Sequence, residues 1–417
     1  MNVKRKSIKL LILILIASFS FDSSLKLISG GVRVHAGLLI ILLTSISLAL
    51  ITPQKLCAVL NRDKFIIAAL SFLFLHSFFA RDLGNFIFLS SYLIISIFIY
   101  YFISVNLHNI DTFKTAKASI TLLLITGLIQ FTLSNALSYP LIFGGMDLNY
   151  YIANPQFEKR MRGFFLEPNW FGLILLLWSC ALFAPSNSKK SNSEVIKFLA
   201  LALIAQYLTG NRLTLLLQTH LLLLVTVSLR SKKISRLAFS PAILVSASTF
   251  LFFTANYIFG LSAIESDRSA IARIATLNNV LEFFSRHYYA GAFTGYGFSN
   301  WAAYSNEHLL SFSNYLGEQE LSRRDNSEIY VVLFEAGVLG LALFWLDMKR
   351  GISIENGRKQ NKIPPYSLAL SYFFVCSLFY PTYTFTMYCI PLITLRAITY
   401  QAKSMPTINS LEKRSIT

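Results

Sequence analysis

The sequence predicts an all-α fold: a polytopic integral membrane protein of about 12 transmembrane helices with one long structured loop on the non-cytoplasmic side. Three observations carry this. Hydrophobic residues make up 54% of the 417 and charged residues only 14%, against about 25% charged in soluble domains. Charge-free apolar runs recur along most of the chain. The connectors between those runs alternate between rich and poor in Lys and Arg, as membrane orientation requires. Disorder is excluded by the apolarity, and a soluble globular enzyme by the lack of material for a water-facing surface. Cys57, Cys180, Cys376 and Cys389 lie in or beside apolar runs, which excludes a disulfide-stapled secreted domain.

Crossing the hydrocarbon core takes about 20 mostly apolar residues. Candidate spans fall at 7–25, 34–52, 65–80, 86–105, 115–137, 169–185, 195–209, 213–229, 239–260, 327–347, 366–380 and 382–400. The first follows Lys4, Arg5, Lys6 and Lys9 as a secretory signal does, but Ala17-Ser18-Phe19 is a poor cleavage site, so it reads as an uncleaved anchor. Pro381 marks a turn dividing the last two. With both termini in the cytoplasm, the inner side holds 25 of the 37 Lys and Arg and 6 of the 20 acids. The formal charge of +17 is therefore a topology signal and implies no nucleic acid partner. Ten of the twelve outer cations are Arg: Arg33, Arg81, Arg160, Arg162, Arg212, Arg268, Arg273, Arg286, Arg323 and Arg324. Orientation disfavours any cation there, and the one retained is the planar, bidentate side chain suited to phosphate.

The membrane domain takes in the whole chain, 1–417, with outer loops at 138–168 and 261–326. A 66-residue connector is too long to be plain. Its first part, Ser266 to Arg286, places Ala270, Ile271, Ile274, Leu277, Leu281 and Phe284 on one helical face, which suits a helix lying at the outer membrane surface. Gly291 to Trp301 follows, rich in Gly and aromatics. Tyr288, Tyr289, Tyr296, Trp301 and Tyr304 fit either an interface belt or a sugar-stacking surface.

Three constellations carry chemistry. The first runs from Arg160 through Met161, Arg162, Gly163 and Glu167 to Pro168 and Asn169. Pro168 suits the first turn of a helix, so an inward-running span begins beside Arg160 and Arg162 with its positive dipole end outward. The second is Thr209-Gly210-Asn211-Arg212, again with Arg at the outer start of an inward-running helix. The third is Arg323-Arg324-Asp325-Asn326-Ser327-Glu328, where Asp325, Asn326 or Ser327 can cap the next span. Glu335 lies two turns into it on the face of Glu328, where an ionisable group is costly and usually functional. Gly337 and Gly340 permit close helix contact. Arg at the outer N-terminus of a helix is often only an interface anchor. Three alike, brought together, make a site for a membrane-held, multiply charged anion such as a lipid-linked pyrophosphate. The histidines show no metal spacing, and no Gly-rich nucleotide loop or other cofactor motif occurs.

In this order the motifs resemble the O-antigen polymerase and O-antigen ligase family of bacterial envelope glycosyltransferases. Arg160 to Asn169 looks like the family's Arg-x-x-Gly-x-Phe-x-x-Pro-Asn element with shifted spacing, and Thr209 to Arg212 like its Thr-x-Ser-Arg element. Arg268 followed by Gly295-Tyr296-Gly297 is similar to its long outer loop. Asp325-Asn326 leading to Glu335-Ala336-Gly337-Val338-Leu339-Gly340 resembles its His-Asn and Glu-x-Gly-x-x-Gly elements. The resemblance covers about 160–345 and implies glycosyl transfer from a polyprenyl-pyrophosphate donor on the periplasmic side of the inner membrane, without metal or other cofactor. Family ligases carry His where this chain has Asp325, and Asn211 replaces the motif Ser, so the resemblance points to a polymerase, with a ligase as the alternative. A flippase for such lipids is the alternative from another class. Arg160 or Arg162, with Arg212, is expected to bind pyrophosphate. Asp325 is the expected base, with Glu328 or Glu167 in reserve. Asn169, Arg268, Arg323, Arg324, Asn326 and Glu335 complete the expected substrate contacts. The implied partners are a polyprenyl-pyrophosphate-linked oligosaccharide, membrane lipid and a chain-length regulator.

Overall fold

A computed structural model describes residues 26–29, 32–136, 159–163, 165, 168–184, 191–230, 268–287, 289–308, 310, 328–356, 364–377 and 386–401. These form a helical molecule with one short antiparallel hairpin, β1 (Lys26–Ser29) and β2 (Val32–His35), in front of the first helix. The helices are α1 (Ala36–Ile51), α2 (Pro53–Arg62), α3 (Lys64–Ser77), α4 (Leu83–Val105), α5 (Thr112–Ala136), α6 (Pro168–Ala181), α7 (Asn192–Thr209) and α8 (Arg212–Arg230). There follow α9 (Arg268–Arg286), α10 (Tyr289–Thr294), α11 (Trp301–His308), α12 (Glu328–Asn356), α13 (Pro365–Ser377) and α14 (Thr386–Gln401).

Ten of the twelve expected spans coincide with a helix; 7–25 and 239–260 lie outside the described residues. Among the described residues two helices, Thr112–Ala136 and the Tyr330–Glu355 part of α12, are long and apolar enough to cross a membrane. A third is added if Leu42–Ile51 and Pro53–Arg62, bent by 106°, are taken together. Shorter apolar helices include Lys64–Ser77, Pro168–Ala181 and Arg212–Val227. Residues 53–62, read from the sequence as a connector, form α2: Pro53 occupies its first turn, where a missing N–H costs nothing.

The core centres on α6, which packs against α5, α7, α8, α13 and α14. All of its residues except Asn169 are buried, because it is apolar on every side. The outward faces of other helices stay apolar: Leu50, Ile51, Phe74, Phe78, Tyr207 and Leu216 are all exposed.

A second, smaller core lies at the start of α12. Val280, Phe283 and Phe284 of α9 pack there with Trp301, Val331 and Phe334. The predicted stripe on α9 is shifted by this packing. Leu281 is exposed, while Val280 and Phe283 are buried, because the helix rests on α10 and α12. Trp301, a candidate for the interface belt, is wholly buried.

Candidate functional site

Two of the three constellations meet. The segment 159–165 folds back onto the turn between α7 and α8. Gly210 ends α7 in the left-handed region at φ 63°, which glycine tolerates best. The Asn211 side chain then caps α8, its Oδ1 accepting from Leu213 N–H at 3.1 Å and Thr214 N–H at 3.3 Å. Onto this turn Met161 N–H donates to Leu208 O at 3.0 Å, and Arg160 Nε–H donates to Thr209 O.

The segment is clamped from below by one amide. Gln130 of α5 is fully buried. Its Oε1 accepts from Arg162 N–H at 2.8 Å and Gly163 N–H at 3.2 Å, while its Nε2 donates to Arg160 O at 3.3 Å and Ser134 Oγ at 3.2 Å. Gly163, at φ 55°, makes the bend. The Arg162 side chain is 0% exposed, and its Nη1 donates to Phe165 O at 3.0 Å. Phe165 meets Phe171 of α6 edge-on, with ring centroids 6.0 Å apart. At Gly172 the start of α6 crosses α7 and α8 so closely that a Cβ would strike Thr214 and Gln206. Arg160 and Arg162 therefore lie where α6 begins, α7 ends and α8 begins. Arg212, first residue of α8, is exposed there, and Asn169 is half-buried in the first turn of α6. Two positive helix ends and the guanidinium groups of Arg160 and Arg212 lie at this knot of backbone, a combination that suits a charged anion. Arg162, expected as a phosphate ligand, is instead wholly buried and spent on Phe165 O.

Glu335 belongs to a different assembly. Its side chain is 2% exposed and accepts from Trp301 N–H at 3.1 Å, holding the start of α11. Beside it α12 breaks at Gly337, with φ 64° and ψ −168°. Tyr296 N–H donates to Phe334 O at 2.9 Å and Gly297 N–H to Glu335 O at 3.1 Å. Gly295 (φ 81°) presses on Gly337 at the break. The Gly-Tyr-Gly and Glu-Ala-Gly motifs are thus one contact.

Asn300 fastens this loop to the end of α3. Its Nδ2 donates to Phe79 O and Tyr296 O, each at 2.7 Å, and its Oδ1 accepts from Arg81 N–H at 2.8 Å. His76 Nδ1 accepts from Phe298 N–H at 3.0 Å. An aromatic group of Phe283, His287, Tyr296, Tyr304, His308 and Phe334 packs beside it, with Phe283 and Phe334 buried. Burial and the adjacent Tyr304 raise the Tyr296 hydroxyl above the ordinary tyrosine range, so it stays protonated and donates to His287 O. The Arg81 guanidinium lies 3.8 Å from the Tyr304 ring centroid and pairs with Glu307.

Among the expected residues, Glu167, Arg323, Arg324, Asp325 and Asn326 lie outside the described residues. Arg268 and Glu328 are described only as the first backbone positions of α9 and α12. Gln130, Asn300 and Arg81 carry the architecture without any motif to announce them. No group of three or more His, Cys, Asp or Glu able to hold a metal occurs among the described residues.

A further charged cluster, at the opposite ends of the helices, had no motif either. Arg396 of α14 grips Asp63 through Nε and Nη2 at 2.6 and 2.8 Å. It also pairs with Asp347 of α12. The Tyr366 and Tyr400 hydroxyls donate to Asp347 at 3.1 and 2.9 Å. Comparison with protein-family models and with curated proteins finds no match. The family resemblance rests on the motifs quoted for it.

Proposed function

We propose that the chain is a membrane glycosyltransferase of O-antigen polymerase type. In this reading it crosses the bacterial inner membrane about twelve times, with both termini cytoplasmic, and works at the periplasmic face. The observation that carries the reading is the docking of the Arg160–Arg162 segment on the Thr209–Arg212 turn, which gathers two motifs of the resemblance at two positive helix ends. The apolar outward faces of α1, α3, α7 and α8 support lipid as the surroundings.

The donor is glycan on polyprenyl pyrophosphate and the acceptor a lipid-linked repeat unit. The acceptor hydroxyl oxygen attacks the anomeric carbon. The bond from that carbon to the pyrophosphate oxygen breaks, and its electron pair leaves with the pyrophosphate. Arg160 and Arg212 stabilise the charge that develops there, with the buried Arg162 holding the segment behind them; one such contact is worth roughly 10²–10³ in rate. The hydroxyl proton passes to a carboxylate, Asp325 first and Glu328 or Glu167 next. Attack opposite the leaving group inverts the anomeric centre. No nucleotide site is needed, because the donor brings its own leaving group.

A transporter of the same lipids is the reading that the broken helix α12 brings to mind, since discontinuous helices expose carbonyls to coupling ions. Here the Phe334 and Glu335 carbonyls are taken by Tyr296 and Gly297 N–H groups, which favours the enzyme. Arg212→Ala tests the proposal in cells. Long glycan should vanish while lipid-linked single units accumulate on the periplasmic leaflet; normal chain length would overturn it. Full-length glycan stranded on carrier in a deletion strain would instead mark a ligase.

A further inference from the structure

Between α3, α4, α12 and α14 lies a cavity of about 320 Å³. Its walls are apolar: Phe65 and Ile66 of α3, Leu93 and Ile97 of α4, Leu343 of α12 and Ile393 of α14. One end is charged, formed by Asp347 and Arg396. All four helices contribute the ends that the charge pattern assigns to the cytoplasm, so the cavity lies across the membrane from the Arg160–Arg212 knot.

The charge around it is lopsided. Residues 62–64, 347–355 and 396 bring five cations, Arg62, Lys64, Lys349, Arg350 and Arg396, against three acids, Asp63, Asp347 and Glu355. Asp63 and Asp347 are committed to Arg396 and the two tyrosines, and Glu355 to the Tyr366 and Ser367 N–H groups. Arg350 is different. Its guanidinium lies 5.6 Å from the Phe65 ring centroid and 5.4 Å from that of Tyr400. Among the described residues it meets no carboxylate. Phe65 is also a cavity wall, so a half-buried cation that rests on rings among the described residues stands beside an apolar hollow.

We propose that this cavity is a binding site for an anionic phospholipid of the cytoplasmic leaflet, one acyl chain filling the hollow and the phosphate resting on Arg350. An apolar chain satisfies the walls, and a phosphate supplies the negative charge the cluster lacks. The pairing of Arg396 with Asp63 and Asp347 closes the charged end, so the chain does not meet an open charge. The inference rests on the membrane placement proposed above but not on glycosyl transfer.

The test uses the full-length protein in neutral detergent, with bound lipid read by native mass spectrometry. Phosphatidylglycerol should be retained in preference to phosphatidylcholine. Arg350→Gln should lower that preference about fivefold, the weight of one cation at a lipid headgroup. Ala69→Trp and Leu343→Trp, which fill the hollow from two different helices, should reduce retention of both lipids. Equal retention of the two lipids by the wild type, or an unchanged preference in Arg350→Gln, overturns the proposal. So does full retention in whichever tryptophan variant stays monodisperse. Inorganic phosphate bound through Arg350 while no lipid is retained would mark a free-anion site and also overturn it. Fractionation of the expressing cells separates the two failures: protein in the soluble fraction sinks the membrane reading, whereas membrane-bound protein without lipid preference sinks only this site.

Discussion

The two loops 159–165 and 295–300 solve one problem with opposite materials. Each lays irregular backbone across helix ends, and each relies on one buried amide. Gln130 reads the N–H groups of Arg162 and Gly163 and the carbonyl of Arg160. Asn300 ties Phe79, Arg81 and Tyr296 together. The first loop spends its side chains on guanidinium groups; the second surrounds itself with aromatic rings over a buried carboxylate. The shared device shows that a buried amide fixes a polar loop without adding net charge, which leaves the functional charge to be chosen separately.

Breaking the second loop should have the largest effect. Gly295 combines φ 81° with a packing distance at which a Cβ would lie well under 3.0 Å from backbone atoms of Glu335 and Ala336. Backbone leaves no room to yield. Gly295→Ala should therefore destabilise by roughly 3 kcal/mol or more, from strain and overpacking combined. The measurement is the thermal unfolding midpoint of purified protein. A midpoint unchanged from wild type would mean that the loop is not seated on the break in α12.

Loosening the first loop comes next. Gln130→Leu keeps the volume but strips the Arg162 and Gly163 N–H groups of their acceptor, at about 2–3 kcal/mol for two buried donors. The loss should appear in the unfolding midpoint and, because Arg162 is no longer held, in shortened glycan. Loss of stability with normal glycan length would place the Arg162 backbone outside the chemistry.

How much of this could be read in the chain follows from the range over which each signal acts. Apolar runs are local, so ten helices fall where hydropathy puts them. Pro168 and Gly210, which respectively begin α6 and end α7, mark boundaries by their own backbone chemistry. That the Arg160 and Arg212 segments converge could be reasoned from their shared place before apolar runs, but the bond from Arg160 to the Thr209 carbonyl could not, because the sequence does not say which backbone group a guanidinium will meet. Gln130 was not legible, because a lone amide in an apolar run looks the same whether it clamps a loop or merely bonds its own helix. The Arg396–Asp63 pair joins positions 333 apart in sequence, and nothing local in either links them. On α9 the spacing was right but the stripe was off, since Leu281 and Val280 are equally apolar and only the position of α12 decides which is buried. The hairpin at 26–35 gave no alternation strong enough to stand against the neighbouring span.

The smallest expected effect sharpens the comparison most. Asn211 caps α8 through Leu213 and Thr214 N–H groups, and loss of such a cap costs about 1 kcal/mol. Asn211→Ala should lower stability by that amount, whereas Asn211→Ser, which restores the residue of the resembling motif, should recover most of it. The cap also aims Arg212, because it fixes the first turn of α8. If Arg212 binds the leaving pyrophosphate, the Ala variant should lose more glycan length than its small drop in stability explains, and the Ser variant should regain it. Equal glycan length in both variants would reduce Asn211 to a helix cap and leave Arg160 as the cation on which the proposed site depends.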